Sequence, residues 1–355
     1  MRLISTRIDA MNKILTIVVP TYNMQDYLNR CLDSLIVVPE LMGQLEVLVI
    51  NDGSKDNSSV IGHEYEARYT NTFRVIDKEN GNYGSCVNRG LAEAKGKYIK
   101  ILDADDWFNT KEFEDYLRNL STVEVDLVST SYNFVENDTG HVRTETLDLP
   151  TGEIFDFGSF SSEKILYYPM HMVTYRTEML RKIGYVQTEG ISYTDNEWTF
   201  IPQYSVKQFV YFPFVVYQYL IGRAGQTMDS GVIVRNVWHL EPICKALIEN
   251  RLRFDVEDNK LAEKLNFRQI LLTVENLYKL VLLKMNPTKD DLTRLRRFDE
   301  YIKKYCPPAY DYVSKAIMKK WLPIRYVSFW RRTGKRLSVD GFRDLYRKVK
   351  YLGKN

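Results

Sequence analysis

Apolar runs of four to six residues alternate with segments of helical periodicity along the first hundred residues. The runs are rich in Val, Ile and Leu, and proline or polar turn residues follow them. Such runs, separated by helices, are typical of a parallel sheet that is covered on both faces. The predicted strands are Ile14–Val19, Leu45–Ile50, Phe73–Ile76 and Tyr98–Leu102, and the predicted helices are Gln25–Val37, Ser58–Tyr69 and Tyr83–Ala94.

Beyond Asp106 the alternation is weaker, and from about Gly231 the pattern becomes helical. Pro287 and the pair Pro307-Pro308 are helix stops. We therefore predict an N-terminal extension over residues 1–11, an α/β domain over 12–230 and a helical region over 231–355. The later predicted elements are strands at Val125–Thr130, Met170–Tyr175 and Phe209–Leu220, a loop or hairpin over Glu136–Gly152, and helices over Thr194–Tyr204, Val232–Leu252, Asp258–Met285 and Thr288–Tyr305.

The composition is that of a globular protein, with 45% hydrophobic and 27% charged residues among 355. The four cysteines are scattered without a CxxC pair, which argues against a disulfide framework or a zinc site and for a reducing compartment. The first residues lack the apolar core of a signal peptide, and no run approaches the roughly 18 apolar residues of a membrane-spanning helix. We expect a cytoplasmic protein.

The charge is unevenly distributed. Residues 315–355 contain thirteen Lys or Arg against two acids, which leaves a net charge of −8 on the rest of a chain whose net charge is +3. Aromatic residues alternate with these cations, a composition that favours contact with an anionic membrane surface. The alternative is that the tail forms helices that pack onto the rest of the protein and expose a basic face to solvent. The acidic remainder speaks against nucleic acid as a partner.

Polar clusters follow three of the predicted strands. Pro20–Asn23, Asn51–Gly53 and Asp103–Asp106 all lie at carboxyl ends, where ligands of parallel sheets bind. Three carboxylates within four residues repel one another unless a cation lies between them, and a divalent cation with a phosphorylated ligand meets this need. The alternatives are an acidic turn that caps the next helix, an ordinary turn at Asn51–Gly53, and helix capping by Thr21 or Asn23.

These segments together resemble bacterial glycosyltransferase family 2 over about residues 12–228. The matching motifs, in order, are Val18-Val19-Pro20-Thr21-Tyr22-Asn23, Val49-Ile50-Asn51-Asp52-Gly53-Ser54-Lys55-Asp56 and Leu102-Asp103-Ala104-Asp105-Asp106-Trp107. The resemblance implies a GT-A fold with a mostly parallel central sheet, followed here by the helical region. It also implies a metal-dependent inverting glycosyltransferase that moves one sugar from a nucleotide-sugar, with a UDP-sugar as the expected donor.

The resemblance assigns roles to individual residues. The nucleotide-sugar site is implied at Pro20, Thr21, Tyr22, Asn23, Asp52, Gly53, Gly81, Asn88, Asp103, Ala104 and Arg223, with Mg²⁺ or Mn²⁺ bound by Asp105 and Asp103. Gly81 and Asn88 belong to a ribose-side loop at the start of the third helix. Many family members carry Arg just before that Asn, whereas this chain has Val87, so the diphosphate contacts of this loop differ from the family pattern.

The catalytic base implied by the resemblance is Asp195. The family usually carries Glu-Asp here, but Thr194 replaces the Glu, which leaves Glu197 as a rival base. A carboxylate of this kind takes the acceptor hydroxyl proton during inverting transfer. The alternative is a capping box in which Asp195 caps a helix and Glu197 is its partner. His171 lies in an apolar pattern and either faces the acceptor or is a satisfied structural histidine.

The expected acceptor is a glycan or polyprenyl-linked molecule of bacterial surface polysaccharide synthesis. The Gln-x-x-Arg-Trp segment of processive synthases in this family is absent, which favours addition of one sugar per encounter. Two other functions remain open: a non-catalytic nucleotide-sugar or glycan-binding module, and a sugar nucleotidyltransferase. The sequence does not support a sugar nucleotidyltransferase, because Pro20–Asn23 occupies the position after the first strand where such an enzyme has a glycine-rich loop. The tail predicts peripheral contact with the inner face of the cytoplasmic membrane.

Overall fold

A computed structural model describes residues 13–158, 160, 168–223, 226, 230–254, 259–319 and 322–337. The predicted extension over residues 1–11 and the end of the basic tail over 338–355 lie outside these residues. The chain divides into two compact units, one within residues 1–224 and 255–265, and the other within 225–254 and 266–355. The predicted boundary after residue 230 stays a prediction.

The first unit is α/β, as the apolar pattern predicts. Its strands are β1 (Leu15–Thr21), β2 (Leu45–Asn51), β3 (Phe73–Asp77), β4 (Tyr98–Ile101), β5 (Trp107–Phe108), β6 (Leu127–Glu136), β7 (Val142–Glu145), β8 (Ile154–Asp156), β9 (Val173–Arg176) and β10 (Gln208–Ile221). Its helices are α1 (Gln25–Asp33), α2 (Pro39–Met42), α3 (Ser58–Arg68), α4 (Asn82–Glu93), α5 (Thr110–Leu120), α6 (Thr177–Lys182) and α7 (Asp195–Phe200), with 3₁₀ turns at Met170–Met172 and Ile201–Ser205.

These strands form one sheet in the order β3-β2-β1-β4-β9-β6-β10-β5, with β7 paired to β6 and β8 to β10. The pairs β3-β2, β2-β1, β1-β4 and β6-β10 are parallel. Every residue of β2 is buried, which explains its continuous apolar run. Because β1, β2 and β4 are parallel neighbours, the polar segments after them lie at one edge of the sheet. The predicted fold class is confirmed.

The prediction of a strand over Met170–Tyr175 is wrong in its first half. Met170–Met172 forms a 3₁₀ turn, and only Val173–Arg176 pairs with the sheet. The reason is the buried Lys100 on β4, whose Nζ donates to the carbonyl oxygens of His171 (2.7 Å) and Val173 (3.1 Å). A lysine without exposed area needs such partners, and the 3₁₀ turn supplies one of them at the carbonyl group of His171.

The elements after residue 224 are mainly helical, as predicted. They are α8 (Ser230–Arg235), a 3₁₀ turn (Val237–His239), α9 (Leu240–Arg251), α10 (Lys260–Lys279), a π-helical turn (Leu280–Lys284), α11 (Lys289–Tyr305), α12 (Pro307–Ser314), β11 (Ile317–Lys319), β12 (Leu322–Arg325) and α13 (Tyr326–Thr333). None of the helices within the described ranges has both the length and the apolar character to cross a membrane.

Part of the basic tail packs within the second unit. Arg331 on α13 forms an ion pair with Asp299 (2.6 Å), and its guanidinium lies 3.5 Å from the ring centroid of Tyr310. Trp330 is also buried. For these two tail residues, the alternative of packing onto neighbouring helices therefore holds, whereas Arg332, Lys335 and Arg336 are exposed.

Candidate active site

The first part of the site follows β1. Thr21 is buried and its hydroxyl donates to Val19 O (3.1 Å), whereas the ring of Tyr22 is 47% exposed at the strand end. Asn23 has a positive φ of 54°, and its Oδ1 accepts a hydrogen bond from Lys55 N (2.7 Å). Neither residue caps α1, whose N-cap is Met24, so that alternative is wrong.

The second part follows β2, where Asp52 is 3% exposed. Its Oδ1 accepts from Lys78 Nζ (2.6 Å) and from Gly81 N (2.9 Å), while its backbone oxygen accepts from the side chain of Asn80 (2.9 Å). Gly53 follows with φ +72°, a conformation that suits glycine. The carboxylate is therefore fixed in orientation at the edge of the sheet.

Lys78 is a site residue that the sequence analysis missed. It follows β3, and besides Asp52 it donates to Ser85 Oγ (2.8 Å) and Glu79 O (2.6 Å). All three of its protons are thus used. An isolated lysine between two polar residues carries no motif signal, so the sequence alone gave no reason to select it.

The third part follows β4. The carboxylates of Asp103, Asp105 and Asp106 offer ligand atoms that all lie within 4.8 Å of one another. Asp106 is completely buried, and its two oxygens accept from the Tyr217 hydroxyl (2.7 Å) and from Leu220 N (2.8 Å). It therefore joins the acid cluster to β10. Asp103 and Asp105 are half-buried and remain closer to solvent.

Asp105 is paired with a cation from the far end of β10. Its Oδ2 accepts from Arg223 Nε (2.6 Å), and Arg30 donates to its backbone oxygen (3.0 Å). The Arg30 guanidinium also lies 3.8 Å from the ring centroid of Trp107. The structure thus brings the predicted Arg223 together with the predicted metal ligand.

The acid cluster fits a divalent cation. Burial, and next the charge of Asp105, raise the pKa of Asp103, and burial with the charges of Asp105 and Asp103 raises that of Asp106. A cation relieves this repulsion, and hard cations prefer carboxylate oxygens. Because Asp106 already accepts two hydrogen bonds, the arrangement favours Asp103 and Asp105 as ligands, and their assignment stays a prediction.

Tyr83, at the start of α4, is a second contact that the sequence did not reveal. Its hydroxyl donates to Asp103 Oδ1 (2.7 Å), 20 residues away in the chain. The charges of Asp103 and Asp195 both contribute to raising the pKa of Tyr83, after burial. The phenol therefore interacts electrostatically with both the acid cluster and the predicted base.

The side chain of Asn88, in the predicted ribose-side loop, is held by hydrogen bonds to the segment before α7. Its Nδ2 donates to Gln187 O and to Glu189 Oε1, both at 2.8 Å, and its Oδ1 accepts from Gln187 N (2.8 Å). Asn88 therefore holds the segment that precedes α7. Gly81 is nearer to the donor side, because its amide contacts Asp52.

Asp195 is the first residue of α7 and is half-buried. Burial raises its pKa to about 6, although backbone amides of residues 195 and 196 oppose the shift. Its charge also raises the pKa of Asp103. No side chain caps α7, whose N-cap is Thr194, so the alternative of a capping box is wrong. A carboxylate of this pKa is suited to take a proton near neutral pH.

The carboxylate of Glu197 is hydrogen-bonded to Thr188. Its Oε2 accepts from Thr188 N (2.6 Å) and its Oε1 from the Thr188 hydroxyl (2.7 Å), and the residue is completely buried. Both oxygens are therefore engaged in holding the segment before α7. The geometry favours Asp195 over Glu197 as the base, and the assignment itself stays a prediction.

Gly84 on α4 faces this same segment. A Cβ there would lie 2.0 Å from Thr188 O, a backbone atom that cannot yield without moving the partner of Glu197. We expect Gly84→Ala to lower the free energy of unfolding by about 1–3 kcal/mol, as overpacking does. Gly62→Ala on α3 is the matched control, because its Cβ would meet a Val75 methyl at 3.1 Å. Equal melting temperatures for the two variants would refute this expectation.

Comparison with known proteins supports the family assignment. The model named Glycosyl transferase family 2 matches residues 16–184, so this region belongs to glycosyltransferase family 2, and the resemblance is confirmed. The putative glycosyltransferase EpsH of Bacillus subtilis (strain 168) is 38% identical over 125 residues, or 35% of each chain. The minor teichoic acid biosynthesis protein GgaB of that organism is 32% identical over 133 residues, 37% of this chain and 15% of GgaB.

These matches span about a third of EpsH and about a sixth of GgaB. Among solved structures, S. aureus TarS 1–349 in complex with UDP-GlcNAc has a TM-score of 0.51 to this chain and is 17% identical. That similarity covers 91% of this chain and 92% of TarS 1–349. At this identity the similarity concerns the fold, which is the predicted GT-A fold.

Proposed function

We propose that the protein is a metal-dependent inverting glycosyltransferase that moves one sugar from a UDP-sugar to a glycan or lipid-linked acceptor in bacterial surface polysaccharide synthesis. The observation that carries this proposal is the acid cluster after β4, where Asp105 is paired with Arg223 and Asp103 is electrostatically coupled to Asp195. The family match and the similarity to EpsH, GgaB and TarS support it.

The donor is held by its base and its diphosphate. Asp52 can accept the imide N–H of uracil, and the exposed ring of Tyr22 offers a stacking surface beside it. Lys78 orients Asp52 through the contact of its Nζ with Asp52 Oδ1 (2.6 Å). Arg223 is placed to exchange its contact with Asp105 for one with the diphosphate.

Mg²⁺ or Mn²⁺ bound by Asp103 and Asp105 supplies electrostatic stabilisation of the leaving nucleoside diphosphate. The residues of the chain contribute the rest. Asp195 accepts the proton of the acceptor hydroxyl while that oxygen bonds to the anomeric carbon, and the bond from this carbon to the phosphate oxygen breaks on the opposite face. Tyr83 holds Asp103 in place through its hydroxyl. Because the new bond forms on the face opposite the leaving phosphate, the configuration at the anomeric carbon is inverted.

The pH dependence follows from Asp195. A general base works in its ionised form, and the pKa of Asp195 is about 6. We expect kcat/KM to rise about tenfold per pH unit below this value and to level off about one unit above it, because the ratio reports the free enzyme. The Asp195→Asn protein should lose this rise of kcat/KM at acidic pH, which we call the acidic limb. An unchanged limb in that variant would assign the titration to another group.

The proposed activity is tested by incubating the protein with UDP-sugars, with and without Mn²⁺, and measuring free UDP. A glycosyltransferase releases UDP in the presence of Mn²⁺ and does so faster with an acceptor. A binding module retains nucleotide without releasing UDP, and a nucleotidyltransferase instead consumes a sugar phosphate and nucleoside triphosphate with release of pyrophosphate. Either of these outcomes contradicts the proposal.

Peripheral membrane contact of the basic tail belongs to the same proposal. The exposed Arg332, Lys335 and Arg336 support it, since each cation near an anionic surface contributes about 1 kcal/mol. Sedimentation with phosphatidylglycerol vesicles, but not with phosphatidylcholine vesicles, is the expected result. Equal sedimentation with both would count against an electrostatic attachment.

A further inference from the structure

A buried histidine whose Nδ1 has no hydrogen-bond partner among the described residues lies near the acid cluster. His171, in the turn Met170–Met172, is 8% exposed, and its Nδ1 has no hydrogen-bond partner among the described residues. Among the described residues, the alternative of a structural histidine has no hydrogen bond to Nδ1 in its support. An unpartnered buried polar atom costs about 1–3 kcal/mol. Such an atom points to a ligand that binds there.

The rings around His171 connect it to the acids. Its imidazole lies between Tyr219, at a centroid distance of 4.3 Å and an angle of 26°, and Tyr132, at 5.1 Å and 22°. Tyr217 meets it edge-on at 4.7 Å, and the hydroxyl of Tyr217 donates to Asp106. The histidine is thus one aromatic ring away from the acid cluster.

The imidazole is neutral. Burial, and next the charge of Lys100, lower its pKa to about 3. A neutral imidazole has one nitrogen that donates and one that accepts, so it can hydrogen-bond a hydroxyl group in either sense.

The cluster continues towards solvent along β6 and β10. Phe134 and Tyr219 are register partners in the parallel ladder, and their ring centroids lie 5.5 Å apart. Both residues are half-exposed. On the other side, α7 packs against the turn that carries His171, and the Tyr175 hydroxyl donates to Thr199 O (2.9 Å) on α7. The aromatic surface formed by His171, Phe134 and Tyr219 therefore borders both the acid cluster and α7, the helix of Asp195.

The charges around this surface favour an uncharged ligand. Arg143 lies 4.3 Å from the ring centroid of Phe134 and is ion-paired with Glu145. Lys100 lies 5.9 Å from the ring centroid of Tyr217 and donates to two backbone carbonyls. Since both of these cations are engaged, the surface suits a neutral ring better than a phosphate.

We propose that His171, Tyr219 and Phe134 form an acceptor subsite that binds a pyranose ring of a glycan. A pyranose has C–H groups on its faces and hydroxyls at its rim, so the two half-exposed rings pack against a face while the imidazole hydrogen-bonds a hydroxyl. The subsite places that sugar between the leaving diphosphate and Asp195. This inference rests on the proposed function, because it assigns the acceptor of that reaction.

The test uses small glycosides as probes. Methyl β-glucoside, methyl β-galactoside and methyl β-N-acetylglucosaminide are added to the full chain with Mn²⁺ and UDP, and binding is measured by saturation-transfer NMR. We expect at least one glycoside to bind, with strong transfer to its ring protons. Tyr219→Leu and His171→Phe should each weaken its binding at least tenfold. His171→Phe keeps a ring between the two tyrosines and removes only the hydrogen-bonding atoms.

Tyr69→Leu is the matched control, because Tyr69 is a half-exposed tyrosine that contacts Phe73 at a centroid distance of 5.6 Å. It should bind the glycoside as the unaltered chain does. Binding of UDP with Mn²⁺ is measured in every variant to verify folding, so that Tyr219→Leu decides the question if His171→Phe does not fold. The inference is overturned if no glycoside binds, if ribitol phosphate or glycerol phosphate binds instead, or if both variants bind like the control.

Failure of this inference differs from failure of the proposed function. If UDP-sugars are turned over but the aromatic variants retain glycoside binding, only the acceptor subsite is wrong. If no UDP-sugar is turned over with Mn²⁺, the proposed function itself is wrong, whatever the glycosides do.

Discussion

Asp195→Asn is expected to reduce glycosyl transfer about a thousandfold while leaving UDP binding unchanged. The amide has nearly the same shape, but it cannot take the proton from the acceptor hydroxyl, and general base catalysis contributes about 10²–10⁴ in rate. The structure places Asp195 outside the hydrogen-bond network of Asp52 and Arg223, so the donor contacts should persist. Initial rates of UDP release with acceptor, together with calorimetric UDP affinity, measure the two effects.

Glu197→Gln provides the decisive comparison. Because both oxygens of Glu197 accept from Thr188, we expect this variant to lower the melting temperature more than Asp195→Asn does and to retain a much larger share of activity. If Glu197→Gln is the inactive variant and Asp195→Asn is active, the roles of these two carboxylates are reversed.

Asp105→Asn is expected to remove the response to divalent cations. Loss of one of two carboxylate ligands weakens cation binding, and the electrostatic contribution of the metal to leaving-group departure is about 4 kcal/mol, equivalent to about 10³ in rate. The measurement is UDP release as a function of Mn²⁺ concentration. The unaltered chain should show a saturable increase, whereas the variant should show a flat, low rate.

Asp106→Asn serves as the contrasting variant for this prediction. Asp106 accepts from Tyr217 and from Leu220 N, so its replacement disrupts a buried junction between β4 and β10. We expect a lower melting temperature with a retained Mn²⁺ requirement. A Mn²⁺ response that persists in Asp105→Asn and vanishes in Asp106→Asn would show that the cation uses the more buried acid.

The sequence was sufficient for the features that depend on local patterns. The strands β1 to β4 are continuous apolar runs, and the acids after them lie at one edge because parallel strands end together. Asp52, Asp103 and Asp105 belong to motifs at these ends, whereas Arg223 follows β10 and was implied by the family resemblance. The structure brings Asp105 and Arg223 into contact although they are separated by 118 residues.

What the sequence could not supply are pairings between distant residues. Lys78 contacts Asp52 across 26 positions, and Tyr217 contacts Asp106 across 111, and neither belongs to a recognisable motif. The same limitation explains the wrong strand at Met170–Met172. Its apolar residues carry strand character, but the carbonyl group of His171 binds a lysine on a neighbouring strand, which no local pattern reveals.

The central claim, that Asp103 and Asp105 bind a divalent cation together with the diphosphate of the donor, is tested most directly by anomalous diffraction from crystals containing Mn²⁺ and UDP. We predict one anomalous peak within about 2.5 Å of carboxylate oxygens of both aspartates and in contact with both phosphates. Anomalous density elsewhere, or UDP bound with Arg223 still paired to Asp105 and no manganese present, would contradict the claim.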